Sequence, residues 1–114
     1  KVIGIDIDPI AVIAANSNSV KNNVSKQLNI YQGSLPNAKI TGGSFDIVVA
    51  NISAKVLVNI APHLVQAIRE DGTIIASGLL SENRNLVQNA IEMAGGKIIS
   101  SLKEDGWSTI IATK

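Results

Sequence analysis

Apolar and polar residues along the chain alternate between two periods. Val2 to Ile7 is a short, nearly continuous β-branched run, the pattern of a strand buried on both faces. Asp8-Pro9 follows, an N-cap and first-turn pair that opens a helix. Ile10, Ile13, Ala14, Val20 and Val24 then recur at near-helical spacing. Asn22-Asn23 predicts the stop, because asparagine tolerates a left-handed helix end. Leu28 to Tyr31 reads as a second strand, and Gly33 to Gly43 as a loop carrying Pro36. Phe45 to Ala50 is the strongest strand in the chain. Helical spacing resumes from Ala54 through Val56, Leu57, Ile60, Leu64, Val65 and Ile68, with Asp71-Gly72 as the expected end. Thr73 to Ser77 predicts another buried strand. Ser81 is placed to cap a third helix holding Leu86, Val87, Ala90, Ile91 and Met93, closed by Gly95-Gly96. Lys97 to Leu102, a turn at Glu104-Asp105-Gly106, and Trp107 to Thr113 complete the pattern.

Strands alternating with helices indicate βαβ units. The expected fold is α/β: a Rossmann-like, doubly wound and mostly parallel sheet with helices on both faces. The last two strands depart from it, since a short turn joins only antiparallel neighbours. The C-terminal strand is therefore expected to be antiparallel.

Composition narrows the functional classes. The chain has 114 residues, 46% apolar and 17% charged, with a mean hydropathy of +0.26. One domain fits that length, and disorder is excluded. A chain of this size buries roughly 65% of its unfolded surface, so a core forms without staples. Ten basic residues against nine acidic ones give +1. No clustered basic face is visible, so direct nucleic-acid binding is not expected. Cysteine is absent, which excludes disulfides, thiolate metal sites and cysteine nucleophiles, and no metal site is expected. The composition fits a reducing compartment, with the cytoplasm as the expected location. No apolar run approaches the ~20 residues of a membrane helix. The chain opens Lys1-Val2-Ile3-Gly4-Ile5-Asp6 inside a strand and without Met, so it is expected to be part of a longer protein.

In an open parallel sheet, ligands sit at the carboxyl ends of the strands. Asp6, Asn51 and Ser77-Gly78 stand there. A carboxylate at Asp6 can accept both hydrogen bonds of a ribose diol; the alternative is a solvated Asp that starts a turn. Asp8 is better read as the helix cap. The amide carbonyl of Asn51 can accept a hydrogen from a substrate amine, leaving the nitrogen lone pair aimed at an electrophile. The alternative is an Asn that ends a strand and bonds its own backbone. Asp46, at the other end of the same strand, reads as structural. His63 is a mid-helix residue with no partner at a ligand spacing, and Trp107 reads as core or rim. A phosphate-cradling glycine signature is absent.

Val2-Ile3-Gly4-Ile5-Asp6-Ile7-Asp8-Pro9, with Ala14-Ala15, Asn18 and Asn22, resembles the class I S-adenosylmethionine-dependent methyltransferases. Val48-Val49-Ala50-Asn51-Ile52, with Ala54, Ala61-Pro62, Leu64, Ser77-Gly78 and Gly106-Trp107, resembles more narrowly the bacterial methyltransferases of the eleventh large-subunit ribosomal protein. The similarity spans essentially the whole chain. It implies an enzyme that uses S-adenosylmethionine to methylate lysine ε-amines or the N-terminal α-amine of a ribosomal protein. It implies Asp6 as the ribose-binding acid and Ile7 as a residue packed on the adenine. Ser34 and the backbone of Leu35 fall near the adenine amino group, where the family usually has an acidic residue. Asn51 falls at the mouth of the active site, in reach of cofactor and acceptor.

Family members carry a first strand and a glycine-rich loop upstream of Asp6, and an N-terminal recognition domain. Residues 1–114 are thus expected to form one partial catalytic domain, from its second strand to its C-terminus. The first strand is expected between those ending at Asp6 and Asn51. A polypeptide lacking it is expected to self-associate and to bind cofactor poorly. Two other readings are a nicotinamide-dependent oxidoreductase, against which the C-terminal hairpin counts, and a non-catalytic module keeping only the fold.

Overall fold

The β-branched run at Val2–Asp6 forms strand β1, and Leu28–Gln32 forms β2, parallel to it and in register from Val2↔Leu28 to Asp6↔Gln32. A computed structural model describes residues 1–114, which fall into two units, Lys1–Asn37 and Ala38–Lys114. In the first, helix α1 (Pro9–Lys21) crosses between the strands. Asp8 caps it as expected, its Oδ1 accepting the Ile10 N–H at 2.8 Å. Asn22 closes it and Asn23 takes a left-handed φ of 58°.

The apolar spacing of α1 does not mark its inward face. Ile10, Ile13 and Val20 are 74%, 70% and 64% exposed, whereas Ser19 is buried and Ala11, Val12 and Ala15 are half-buried. Small side chains let the helix backbone approach the strands closely, and the larger ones are left outside. β1 also differs from expectation. Ile3, Gly4 and Ile5 are half-buried rather than enclosed, because in its sheet β1 pairs with β2 alone.

The second unit runs β3 (Phe45–Asn51), α2 (Ala54–Ala67), β4 (Ile68–Leu80), a 3-10 turn at Ser81–Asn83, α3 (Arg84–Met93), β5 (Lys97–Glu104) and β6 (Trp107–Thr113). Its sheet has the order β3-β4-β6-β5. β3 and β4 are parallel, and β6 is antiparallel to both of its neighbours, as expected for the last strand. Leu57, Leu64 and Val65 of α2 and Val87 and Ile91 of α3 are buried along with Ile74, Ala76, Ile110 and Ala112 of the sheet. Each large side chain so enclosed contributes about 1.5–3 kcal/mol. β3 is an edge strand: Ala50 is buried, while Ile47 and Val49 are exposed on the opposite face.

Boundaries differ from expectation at three elements, the first being β4, which runs from Ile68 to Leu80 rather than from Thr73 to Ser77. α2 ends at Ala67, not at Asp71-Gly72, because Ile68 turns extended and pairs with Phe45. Asp71, at φ 61°, falls where the β3–β4 register shifts, so Asp71-Gly72 marks an irregularity inside β4. Ser81 does not cap α3, which begins at Arg84. Its hydroxyl shares a hydrogen bond of 2.8 Å with that of Ser108 instead. No helix is long and apolar enough to cross a membrane.

Candidate functional site

In the first unit the carboxyl ends of the two parallel strands are tied together. Asp6 stands opposite Gln32, and the Gly33 N–H donates to the Asp6 carbonyl at 2.8 Å. The Gln32 side-chain amide donates to the Ile7 carbonyl at 3.3 Å. This crossing places Asp6, Ile7, Ser34 and Leu35 at one edge. Asp6 is exposed, and its Oδ1 accepts the Asp8 N–H at 2.9 Å. That bond starts a turn, as the plainer reading of Asp6 requires, but it occupies one lone pair of an acceptor that offers about four. The exposed carboxylate keeps acceptor capacity for a diol. Ile7, 71% exposed, presents an apolar surface beside it. Ser34 is exposed and Leu35 half-buried.

Asn51 belongs to the second unit, at the carboxyl end of β3 and opposite Ser77. Its side chain has no hydrogen-bond partner in the protein, so the amide is not spent on its own backbone. What holds it is packing. Gly78 has φ +78°, and a Cβ built there would lie 2.5 Å from Asn51 Oδ1 and 2.9 Å from the Ile52 nitrogen. Only glycine accommodates both the left-handed backbone and the close approach. The β4–β6 register shifts in the same stretch, between Ala76 and Leu79. The strand end expected at Ser77-Gly78 is not observed: β4 continues to Leu80, so Gly78 sits inside it at that irregularity, and a glycine within a strand points to a close neighbour.

An amide held this way has one acceptor and two donors free at a strand end. It can take a hydrogen from an amine and fix the direction of the lone pair, without a general base. His63 is half-buried within α2. Asp46 forms an ion pair of 2.5 Å with Arg69 at the amino end of β3. The hydrogen bond from Arg69, and then its charge, hold the Asp46 carboxyl below its ordinary value of 3.8. Both groups are exposed and belong to the structure of that end. Trp107 is rim rather than core, 54% exposed. No group of three or more His, Cys, Asp or Glu residues is placed to hold a metal ion.

Residues 1–114 match the family model described as ribosomal protein L11 methyltransferase (PrmA). A ribosomal protein L11 methyltransferase of Pelotomaculum thermopropionicum is 37% identical over 112 residues, covering 98% of this chain and 36% of the relative. One from Clostridium perfringens is 34% identical over 111 residues, covering 97% of this chain and 34% of its own length. The chain thus spans about a third of the length of the curated relatives it matches. Among solved structures, a ribosomal protein L11 methylase from Lactobacillus delbrueckii subsp. bulgaricus superposes with a TM-score of 0.82 at 24% identity, covering 98% of this chain and 57% of that one. An RNA methyltransferase from Salinibacter ruber, solved with S-adenosyl-L-homocysteine, gives 0.73 at 18% identity, over 97% of this chain and 63% of that one. These superpositions establish the fold as the Rossmann-like one of these methyltransferases.

Proposed function

Because the chain belongs to the ribosomal protein L11 methyltransferase family, we propose that it is part of a catalytic domain that methylates amines of ribosomal protein L11. S-adenosylmethionine is the proposed donor. The observation that carries this reading is Asn51: a free amide at a strand end, fixed by a glycine that admits no side chain. That is the element an amine acceptor needs.

The first-unit edge fits the nucleoside half of the donor. The Asp6 carboxylate would hold the ribose hydroxyls with its free oxygen, and the exposed Ile7 side chain would lie against the adenine. Ser34 and the Leu35 backbone would meet the adenine amino group, Ser34 in place of the family's usual acid. When bound, the donor supplies a sulfonium methyl group to an amine lone pair, a C–N bond forming as the C–S bond breaks. Asn51 orients that amine by accepting one of its hydrogens. The amine must arrive neutral and loses its extra proton to solvent afterwards, so no strong base is required of the protein. Positioning alone lowers the barrier by on the order of 7–11 kcal/mol when alignment is good. The antiparallel β6 weighs against a nicotinamide-dependent oxidoreductase, which normally continues the parallel sheet.

The test is methyl transfer by the full-length protein from methyl-labelled S-adenosylmethionine to purified L11. The expected result is label on lysine ε-amines or the N-terminal α-amine, located by mass spectrometry. An unlabelled L11 alongside a cofactor-binding enzyme refutes the proposal.

A further inference from the structure

The tip of the β5–β6 hairpin carries chemistry that the amine-methylation reading leaves unused. Leu102, Glu104, Asp105, Trp107 and Thr109 line an open groove of about 380 Å³. Strand alternation explains the membership. Leu102 stands opposite Thr109 and Glu104 opposite Trp107, so all four project from one face. Lys103, opposite the buried Ser108, projects from the other. Leu102 and Trp107 are 62% and 54% exposed, two large apolar side chains diagonal to each other on that face. The carboxylates of Glu104 and Asp105 have neither a hydrogen bond nor an ion pair.

The tip is fixed in place. Asp105 and Gly106 have φ of 51° and 81°, the two positive values of a tight hairpin turn that matches strand twist. The Ser81 N–H donates to the Gly106 carbonyl at 2.8 Å, and the Ser81 and Ser108 hydroxyls are joined. The groove also faces the correct edge of its sheet. Trp107 pairs with Leu80, three residues beyond Ser77, the partner of Asn51. Two strand spacings across and three residues along make about 14 Å, the reach of about four extended residues.

We propose that this groove docks a basic, lysine-bearing segment of the protein substrate, about four residues from the amine that Asn51 receives. The indole face takes an ammonium group by cation–π attraction, and the two carboxylates neutralise it. Leu102 and Thr109 take the aliphatic stem that a lysine buries below its charge. An acidic segment is repelled by the same pair of carboxylates. The proposal rests on the amine-methylation reading for its substrate, and on the groove alone for its charge.

Trp107 is the single tryptophan of these residues, so the difference in emission between the full-length protein and its Trp107→Phe variant reports on the groove directly. Without cofactor, tetralysine is expected to change that emission and tetraglutamate to leave it unaltered. The tetralysine response should vanish in the double variant Glu104→Gln/Asp105→Asn and weaken with salt. In turnover, the double variant should raise KM for L11 about three- to tenfold at low salt, with kcat and cofactor affinity unchanged. No tetralysine response, or an equal one from the double variant, overturns the proposal. So does a fall in kcat at constant KM, which places the carboxylates in the chemistry instead. A wild-type protein that responds to tetralysine but transfers no methyl supports the groove and removes the function proposed above.

Discussion

The side-chain oxygen of Asn51 lies over the Cα of Gly78, so close that a methyl group on that glycine would meet it at 2.5 Å. Asn51 ends β3, and Gly78 lies in the adjacent parallel strand β4, just past the Ser77 that pairs with Asn51. The approach restricts the amide to the orientations that a bare backbone permits. That is a geometric device for aiming an acceptor without a hydrogen bond.

Gly78→Ala is therefore expected to damage both folding and turnover. The left-handed backbone at φ +78° costs an alanine about 1–2 kcal/mol, and the approach of its Cβ to the Ile52 backbone nitrogen at 2.9 Å adds to that cost. Displacing the Asn51 amide by an ångström lowers kcat on the order of 10²-fold. Thermal unfolding and steady-state kinetics of the full-length variant measure both. A normal kcat in a folded Gly78→Ala protein contradicts the aiming role.

Asp6→Ala and Asn51→Ala should fail in different ways. Asp6→Ala is expected to weaken S-adenosylmethionine binding by roughly 1.5–3 kcal/mol, the range for hydrogen bonds to a charged group. Asn51→Ala should lower turnover far more than it weakens cofactor binding. Calorimetry beside initial-rate kinetics separates the two, and a parallel loss of binding and turnover in Asn51→Ala would move that residue into the cofactor pocket.

The Asp46–Arg69 pair sets a pH window for stability. Arg69 lowers the Asp46 value below its ordinary 3.8 in the folded state. The stabilisation is thus fully present above pH 3.8 and is lost as pH falls through the folded value. Both groups are exposed, so the effect is small. Wild type should melt slightly above Asp46→Asn at pH 7, and the gap should close below pH 3.8. A gap that stays constant down to pH 2 shows that the pair contributes through something other than Asp46 charge.

The open edge of β3 has its own consequence. β3 pairs only with β4 in its sheet, and Ile47 and Val49 are 59% and 66% exposed beside that unpaired edge. Edges of this kind recruit other strands. A polypeptide confined to these 114 residues is expected to sediment as oligomers or aggregates at micromolar concentration. Replacing Val49 with Lys should shift it toward monomer. A monomeric wild-type polypeptide over that range overturns the expectation.

Much of this was legible in the residues, and unevenly so. β-branched runs and the Asp8-Pro9 cap placed the first unit within a residue or two, because caps and turns act locally. The end of α2 carries no local signal, because Ile68 continues the helical spacing while its backbone is claimed by pairing with Phe45. A serine before a helical stretch looks like a cap, yet the Ser81 hydroxyl goes to Ser108, 27 positions away. The outward stripe of Ile10, Ile13 and Val20 had no signature distinguishing it from an inward one. At the site, Asp6 and Asn51 could be singled out by residue type and strand position. The Gly78 contact could not, since it depends on the separation of two backbones.

The strand order β3-β4-β6-β5 also governs how the chain can be made. β5 has β6 as its sole neighbour, and β6 is synthesised after it. At about 5–20 residues per second, translation takes about one to three seconds to pass from Lys97 to Thr113. Throughout that interval β5 has no strand to join. Its sequence, Lys-Ile-Ile-Ser-Ser-Leu-Lys-Glu, is the most polar of the unit's strands and only partly buried even when folded. The segment obliged to wait on the ribosome is thus the one that water tolerates best, while the apolar β6 docks as soon as it emerges, with β4 already in place.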